Sequence, residues 1–177
     1  SPIVFWDNSS IEFISNRLNK PISNYSSDNR VNSISNDPHS AVYVSNTVRL
    51  ANPATSLRVY LSAYRHSSAD FRVLYSLIRP DSSEVSQSFE LFPGFDNLTL
   101  DNDTDGFLDV VDPSKNSGLQ DRRISASLED EFKEYEYGIN DLDSFVGYTI
   151  KIVMSGTDQA HAPRFKDLRS IALAWYQ

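Results

Sequence analysis

Residues 101–112 read Asp-Asn-Asp-Thr-Asp-Gly-Phe-Leu-Asp-Val-Val-Asp. Carboxylates at loop positions 1, 3, 5, 9 and 12, with glycine at position 6, reproduce the spacing of a calcium loop. Ca²⁺ takes six to eight oxygens at roughly 2.3–2.6 Å, so a tight turn must aim alternate side chains at one point. Asp101, Asp103 and Asp105 would do so, and Gly106 would take the backbone conformation that a side chain hinders. The Phe107 carbonyl, Asp109 and Asp112 would complete the sphere. The template normally lies between two helices. Here Pro113 follows at once and Leu98-Thr99-Leu100 reads as extended. The expectation is therefore a Ca²⁺ loop set in a β domain, with a solvated acidic turn as the competing reading.

Nothing else in the chain spells out a reaction. The three histidines, His39, His66 and His161, stand far apart in polar or turn contexts. No Gly-x-Ser-x-Gly elbow, phosphate loop or His-Glu-x-x-His motif is present. Cysteine is absent, which excludes a disulfide framework, a thiolate metal site and a thiol nucleophile. A pair of carboxylates for glycoside hydrolysis is conceivable in so acidic a stretch, but no aromatic-lined cleft accompanies it. The expectation is a protein that is not an enzyme and has no catalytic residues. Asn8, Asn24, Asn97 and Asn102 begin glycosylation sequons, which a chain rich in Ser and Asn produces by chance.

The 177 residues suit one domain with an extended arm, and 40% apolar content is enough for a real core. Beginning at Ser1 without Met, the sequence reads as a fragment or a processed product. No run of about 18 apolar residues occurs, so no membrane partner is expected. The net charge of −8 argues against nucleic acid, whose phosphates need clustered Lys and Arg. That charge is uneven. Residues 81–145 hold 17 of the 24 acids but only 4 of the 16 bases.

The elements that must position these residues read as strands. Residues 1–40 are rich in Ser and Asn. A short helix through Ile11, Ile14 and Leu18, ended at Lys20-Pro21, is expected to lead into an arm. From residue 41 the pattern becomes β. Val42–Val44 and Val48–Leu50 are extended, and Asn52-Pro53 marks a turn. In Ser56–Arg65, Leu57, Val59, Leu61 and Ala63 alternate with Arg58, Tyr60, Ser62 and Tyr64. Phe71–Arg79 follows a tight connection, and the two strands read as an antiparallel hairpin. Ser88–Phe92 is a short strand, and Phe92-Pro93-Gly94-Phe95 suits a type II turn. Asp130–Tyr137 is a strand or one helical turn. Phe145–Met154 and Lys166–Tyr176 complete the set. The fold expected is all-β: an antiparallel, jelly-roll-like β-sandwich over 41–177, with a closed barrel as the alternative and a helix plus arm over 1–40. Its core should include Val42, Val44, Leu57, Val59, Leu61, Val73, Ile150, Ile152, Ile171 and Leu173.

Several stretches resemble a C-terminal β-domain that recurs in virion structural proteins of T4-like marine cyanophages. They are Asp28–Ser33 with Asn36–Ala41, then Asn52–Val59, Glu90–Leu98, Lys151–Thr157, and Pro163 with Lys166–Leu173. Together they cover the chain from about residue 24 to the end. That family sits in tail, baseplate and fibre-like proteins. The resemblance implies a virion location, a structural role, other virion proteins as partners and homo-oligomeric assembly. It carries over no catalytic residue, and the family's Asp-rich loop is variable, so it adds nothing to the calcium reading. A second reading is a receptor-binding module for a host surface glycan, with Tyr60 and Tyr64 as stacking candidates.

Overall fold

The computed structural model describes residues 18–20, 41–81, 88–92 and 126–174. The eight strands among them are β1 (Val42–Val44), β2 (Val48–Ala54), β3 (Ser56–Tyr64), β4 (Ala69–Ile78), β5 (Glu90–Leu91), β6 (Lys133–Ile139), β7 (Phe145–Gly156) and β8 (Arg164–Leu173). A single 3₁₀ turn, Gln159–His161, joins β7 to β8. Among the described residues no helix is long and apolar enough to cross a membrane.

The strands form two antiparallel sheets. One has the order β1-β7-β4-β5 with β2 also paired to β7, and the other has the order β6-β3-β8. β1 and β2 lie end to end along the same side of β7. Ser45 bridges the break between them: its N–H donates to the Ile150 carbonyl and its Oγ accepts from the Ile150 N–H. Taking β1 and β2 as one edge, the orders 2-7-4-5 and 6-3-8 are those of a jelly-roll-like sandwich.

The core fills the space between the sheets. Alternation along β3 points Leu57, Val59, Leu61 and Ala63 inward, against Phe71, Val73, Tyr75 and Leu77 of β4. Tyr135, Tyr137, Phe145, Ile150 and Ile152 complete the layer. Phe71 meets the rings of Tyr135 and Phe165 edge-on, each with centroids 4.9 Å apart. The far face of the larger sheet is also buried, around Leu74, Phe89 and Val153. The far face of the three-stranded sheet is more open: Glu134, Lys166, Arg169, Ile171 and Leu173 on its flanking strands are exposed, and Arg58, Tyr60 and Ser62 along β3 are half-buried, with Ser56 and Tyr64 buried at the ends.

The structure departs from the sequence reading at definite places. β3 and β4 are not a hairpin: β3 pairs with β6 and β8, and β4 with β5 and β7. Their connection is an arch between layers, because each strand's apolar face is covered by the other's rather than by solvent. Ser127 holds the arch, donating its N–H to the Arg65 carbonyl and accepting the Arg65 N–H on Oγ. Asn52-Pro53 does not turn the chain. It lies within β2, where the pairing with β7 slips between Arg49 and Ala54. An edge strand tolerates a proline that cannot donate. Residues 133–139 are a strand, preceded by a turn in which Leu128 and Glu131 bond to each other.

Of the expected core, Leu57, Val59, Leu61, Val73, Ile150 and Ile152 are buried, and Val42 is half-buried over the second cluster. Val44, Ile171 and Leu173 are exposed, at 42%, 49% and 43%. In β1 Tyr43, paired with Ile152, is on the core side of the sheet, but at this edge it too is exposed, at 42%. In β8 a bulge interrupts pairing opposite Leu61, with Asp167 at φ 55°. The bulge reverses the inward phase, so Ser170 and Ala172 face the core side and Ile171 and Leu173 face out. The inward Ser170 bonds to the Tyr148 hydroxyl at 2.8 Å.

Leu18 is not helical where it is described. Asn19 forms a parallel bridge to Ser155, and its side chain donates to the carbonyls of Ala41 and Met154. Leu18 is buried with Ala41, Ala69 and Ala162. The remaining expectations for 1–40, the loop at 101–112 and residues 93–95 of the expected turn lie outside the described residues. Leu18→Ala should cost about 2 kcal/mol, the low end for a buried leucine in a small cluster, read as a lower urea midpoint at unchanged slope. An unchanged midpoint would mean that this contact does not hold the first segment to the sandwich.

Burial pushes the Tyr135 and Tyr137 hydroxyls above their usual value of 10.0. Tyr75 is raised in the same way, with the Glu90 carboxylate adding to burial. Unfolded tyrosines ionise near pH 10 while these remain protonated, so the folded state keeps protons that the unfolded state loses. Stability is therefore intact below about pH 10 and falls as pH rises above it. Phenolate absorbance should rise together with loss of near-ultraviolet circular dichroism. Full tyrosine ionisation in a still-folded protein would contradict this burial.

A candidate docking face and two smaller clusters

Register places five side-chain rows on the outer face of β6-β3-β8. Glu134, Ser62 and Lys166 share one row, and Glu136, Tyr60 and Arg169 the next. Beyond them Tyr64 pairs with Arg164; on the other side Arg58 lies between Gly138 and Ile171, and Ser56 pairs with Leu173. The face thus has an acidic column on β6, an aromatic and polar column on β3, and a basic column on β8. Alternation produces it: Lys133-Glu134-Tyr135-Glu136-Tyr137 buries the tyrosines and exposes the acids. An added Cβ at Gly138 would meet the far end of the Arg58 side chain, which reaches over it to Asn140 and would have to move aside.

The aromatic rings of this face are already occupied. Arg164 sits over Tyr64 with 5.4 Å to the ring centroid, Lys166 over Phe132 at 4.2 Å, and Arg169 over Tyr60 at 5.8 Å. Tyr64 is itself buried, with Phe132 tilted against it. A sugar stacking on Tyr60 or Tyr64 would have to displace a cation from the ring. Tyr60 ionises above its usual range, because of partial burial first and then its hydrogen bond to Glu136. Arg169 also reaches diagonally to Glu134 at 3.4 Å.

Between the edges of β1 and β8 lies a cleft of about 260 Å³. Leu61, Ile152, Met154 and Phe165 line it, with Tyr43, Lys166, Asp167 and Leu168 at its rim. It is chiefly apolar and opens where the two sheets part.

At one end of the sandwich the fold joins two histidines that the sequence keeps 95 positions apart. His66 and His161 stack with centroids 4.1 Å apart and 18° between planes. The His66 Nδ1 accepts from the Ser68 N–H and lies 2.8 Å from its Oγ. The His161 Nδ1 lies 2.7 Å from Asp158. That contact, then the Ala160 N–H, holds the Asp158 carboxyl below its usual range. Ser68 and Asp158 touch different rings, so this is not a Ser-His-Asp relay. In-plane lone pairs of near-parallel rings do not converge, so the pair is not a chelate either.

Among the described residues no group of three His, Asp or Glu is placed to hold a metal ion. The expected calcium ligands Asp101, Asp103, Asp105, Phe107, Asp109 and Asp112 lie outside those residues, as does His39. Tyr60 and Tyr64 are on the outer face, as their alternation predicts. Sequence reasoning missed Glu134, Glu136, Arg164, Lys166 and Arg169 as a set. The period-two charges of β6 were the available signal, whereas the bulge hides the matching period in β8. No protein-family model matches the chain, and neither a curated protein nor a solved structure matches it.

Proposed function

We propose that this chain is a structural module of a phage virion, part of a tail, baseplate or fibre, that assembles through protein–protein contacts. The observation that carries the reading is the solvent-facing sheet, with its ordered acidic and basic columns and its ring faces already capped by cations. Such a surface is suited to another protein rather than to a stacked sugar. The stretches that resemble cyanophage virion proteins support the same role. Exposed Val44, Val48, Leu168, Ile171 and Leu173 add apolar contact area at the sheet edges. Ca²⁺ bound by the Asp101–Asp112 loop would stiffen the module for that use.

The second reading, host glycan binding, is favoured by the apolar cleft with Tyr43 at its rim. The two readings separate on purified, salt-washed particles. Mass spectrometry should find the chain at a fixed copy number per particle, and a glycan array should show no binding with calcium or with chelator. The chain's loss from washed particles would overturn the assembly role. A chelator-sensitive glycan signal abolished by Tyr43→Ala would establish the second reading.

A further inference from the structure

We propose that two copies of this chain pair face to face through the outer surface of β6-β3-β8, about a twofold axis lying along β3. The inference rests on the assembly reading and names the surface that serves it. The register dictates the match. Rotation about an axis along the central strand exchanges the outer columns and preserves the rows. The β6 column of one copy then lies over the β8 column of the other. Glu134 meets the partner's Lys166, and Glu136 meets the partner's Arg169, because each pair already shares a row. Every such contact occurs twice, as a twofold interface requires.

Shape follows the same rule. Ile171 shares its row with Gly138, so the exposed isoleucine of one copy falls over Gly138 of the other and packs on the Arg58 side chain that lies across that glycine. The existing Arg169–Glu134 contact does not oppose this. Both side chains are more than half exposed, and an exposed pair holds its geometry only weakly. Three strands of about nine residues span roughly 14 by 30 Å, or about 400 Å² per copy. The total of about 800 Å² lies below the range of stable specific interfaces, so a weak, transient affinity on the order of 0.1 mM is expected. Repetition in an assembly multiplies such contacts through effective concentration.

The experiment is sedimentation equilibrium of the full chain from about 0.01 to 1 mM, with near-ultraviolet circular dichroism as the folding control. Wild type should dimerise, and more weakly at high salt. E134K/E136K makes both outer columns basic, and K166E/R169E makes both acidic; each alone should lose at least tenfold in association. Mixed one to one, the two variants should form a heterodimer at least as tight as the wild-type dimer. The quadruple variant, with its columns exchanged, should dimerise again. Loss of a fold contact would not be repaired by mixing. A wild type that stays monomeric throughout, a dimer indifferent to these reversals, or a mixture that does not associate would each overturn the pairing. A monomeric chain still present at fixed copy number in washed particles overturns the pairing alone and leaves the assembly role standing.

Discussion

Phe71→Ala is expected to destabilise the sandwich by about 3–5 kcal/mol, as large-to-small changes at fully packed aromatics do. Phe71 is 2% exposed and lies where the layers meet, between Tyr135 of β6 and Phe165 of β8. Truncation removes two edge-on ring contacts and opens a cavity that a rigid sheet pair cannot close. Domains have roughly 5–15 kcal/mol in total, so much of the stability goes at once. Ile171→Ala supplies the contrast. Both residues are bulky and apolar in strands, yet Ile171 faces solvent after the Asp167 bulge, and its loss should cost within about 0.5 kcal/mol. Urea unfolding of the two variants checks the difference. Equal costs would place Ile171 in the core and remove the phase reversal.

Calcium should raise the melting temperature of the wild type, and Asp103→Asn with Asp105→Asn should abolish that rise. Asp101, Asp103, Asp105, Asp109 and Asp112 are five carboxylates in twelve residues, and close like charges disfavour their common ionisation. A bound divalent ion reverses that repulsion. A ligand that binds only the folded state adds RT ln(1 + [L]/Kd), about 2.7 kcal/mol at a hundredfold excess. Melting scans in millimolar calcium and in chelator measure it directly. Identical wild-type curves would leave these residues a solvated acidic turn.

The layered architecture was legible because burial has a period. Ser56–Tyr64 alternates without interruption, and its inward and outward sets stand where alternation puts them. Phe71–Ile78 has one apolar face, carries Leu74 and Ile78 on the other, and is buried on both, Arg72 and Ser76 included. Partner choice was not legible. Adjacent strands joined by a short turn usually pair, but β3 and β4 face each other across the core, and only the whole set of apolar faces decides that. The β8 error is local. A single Asp in the left-handed region shifts every later side chain by one face, and Asp is one of the few residues that adopts that conformation readily. The candidate face was half legible. Tyr60 and Tyr64 were assigned to the right surface, but the cations over their rings come from β8, a hundred or more residues away in sequence. The His66–His161 stack is likewise a product of topology.

The most direct test of the account is a map of the intact particle with this chain located in it. Density for the sandwich is expected at symmetry-repeated positions, with the outer face of β6-β3-β8 covered by protein and Glu134, Glu136, Lys166 and Arg169 inside the contact. A sandwich that projects from the particle with this face bare, or a particle in which the chain has no place, would contradict it.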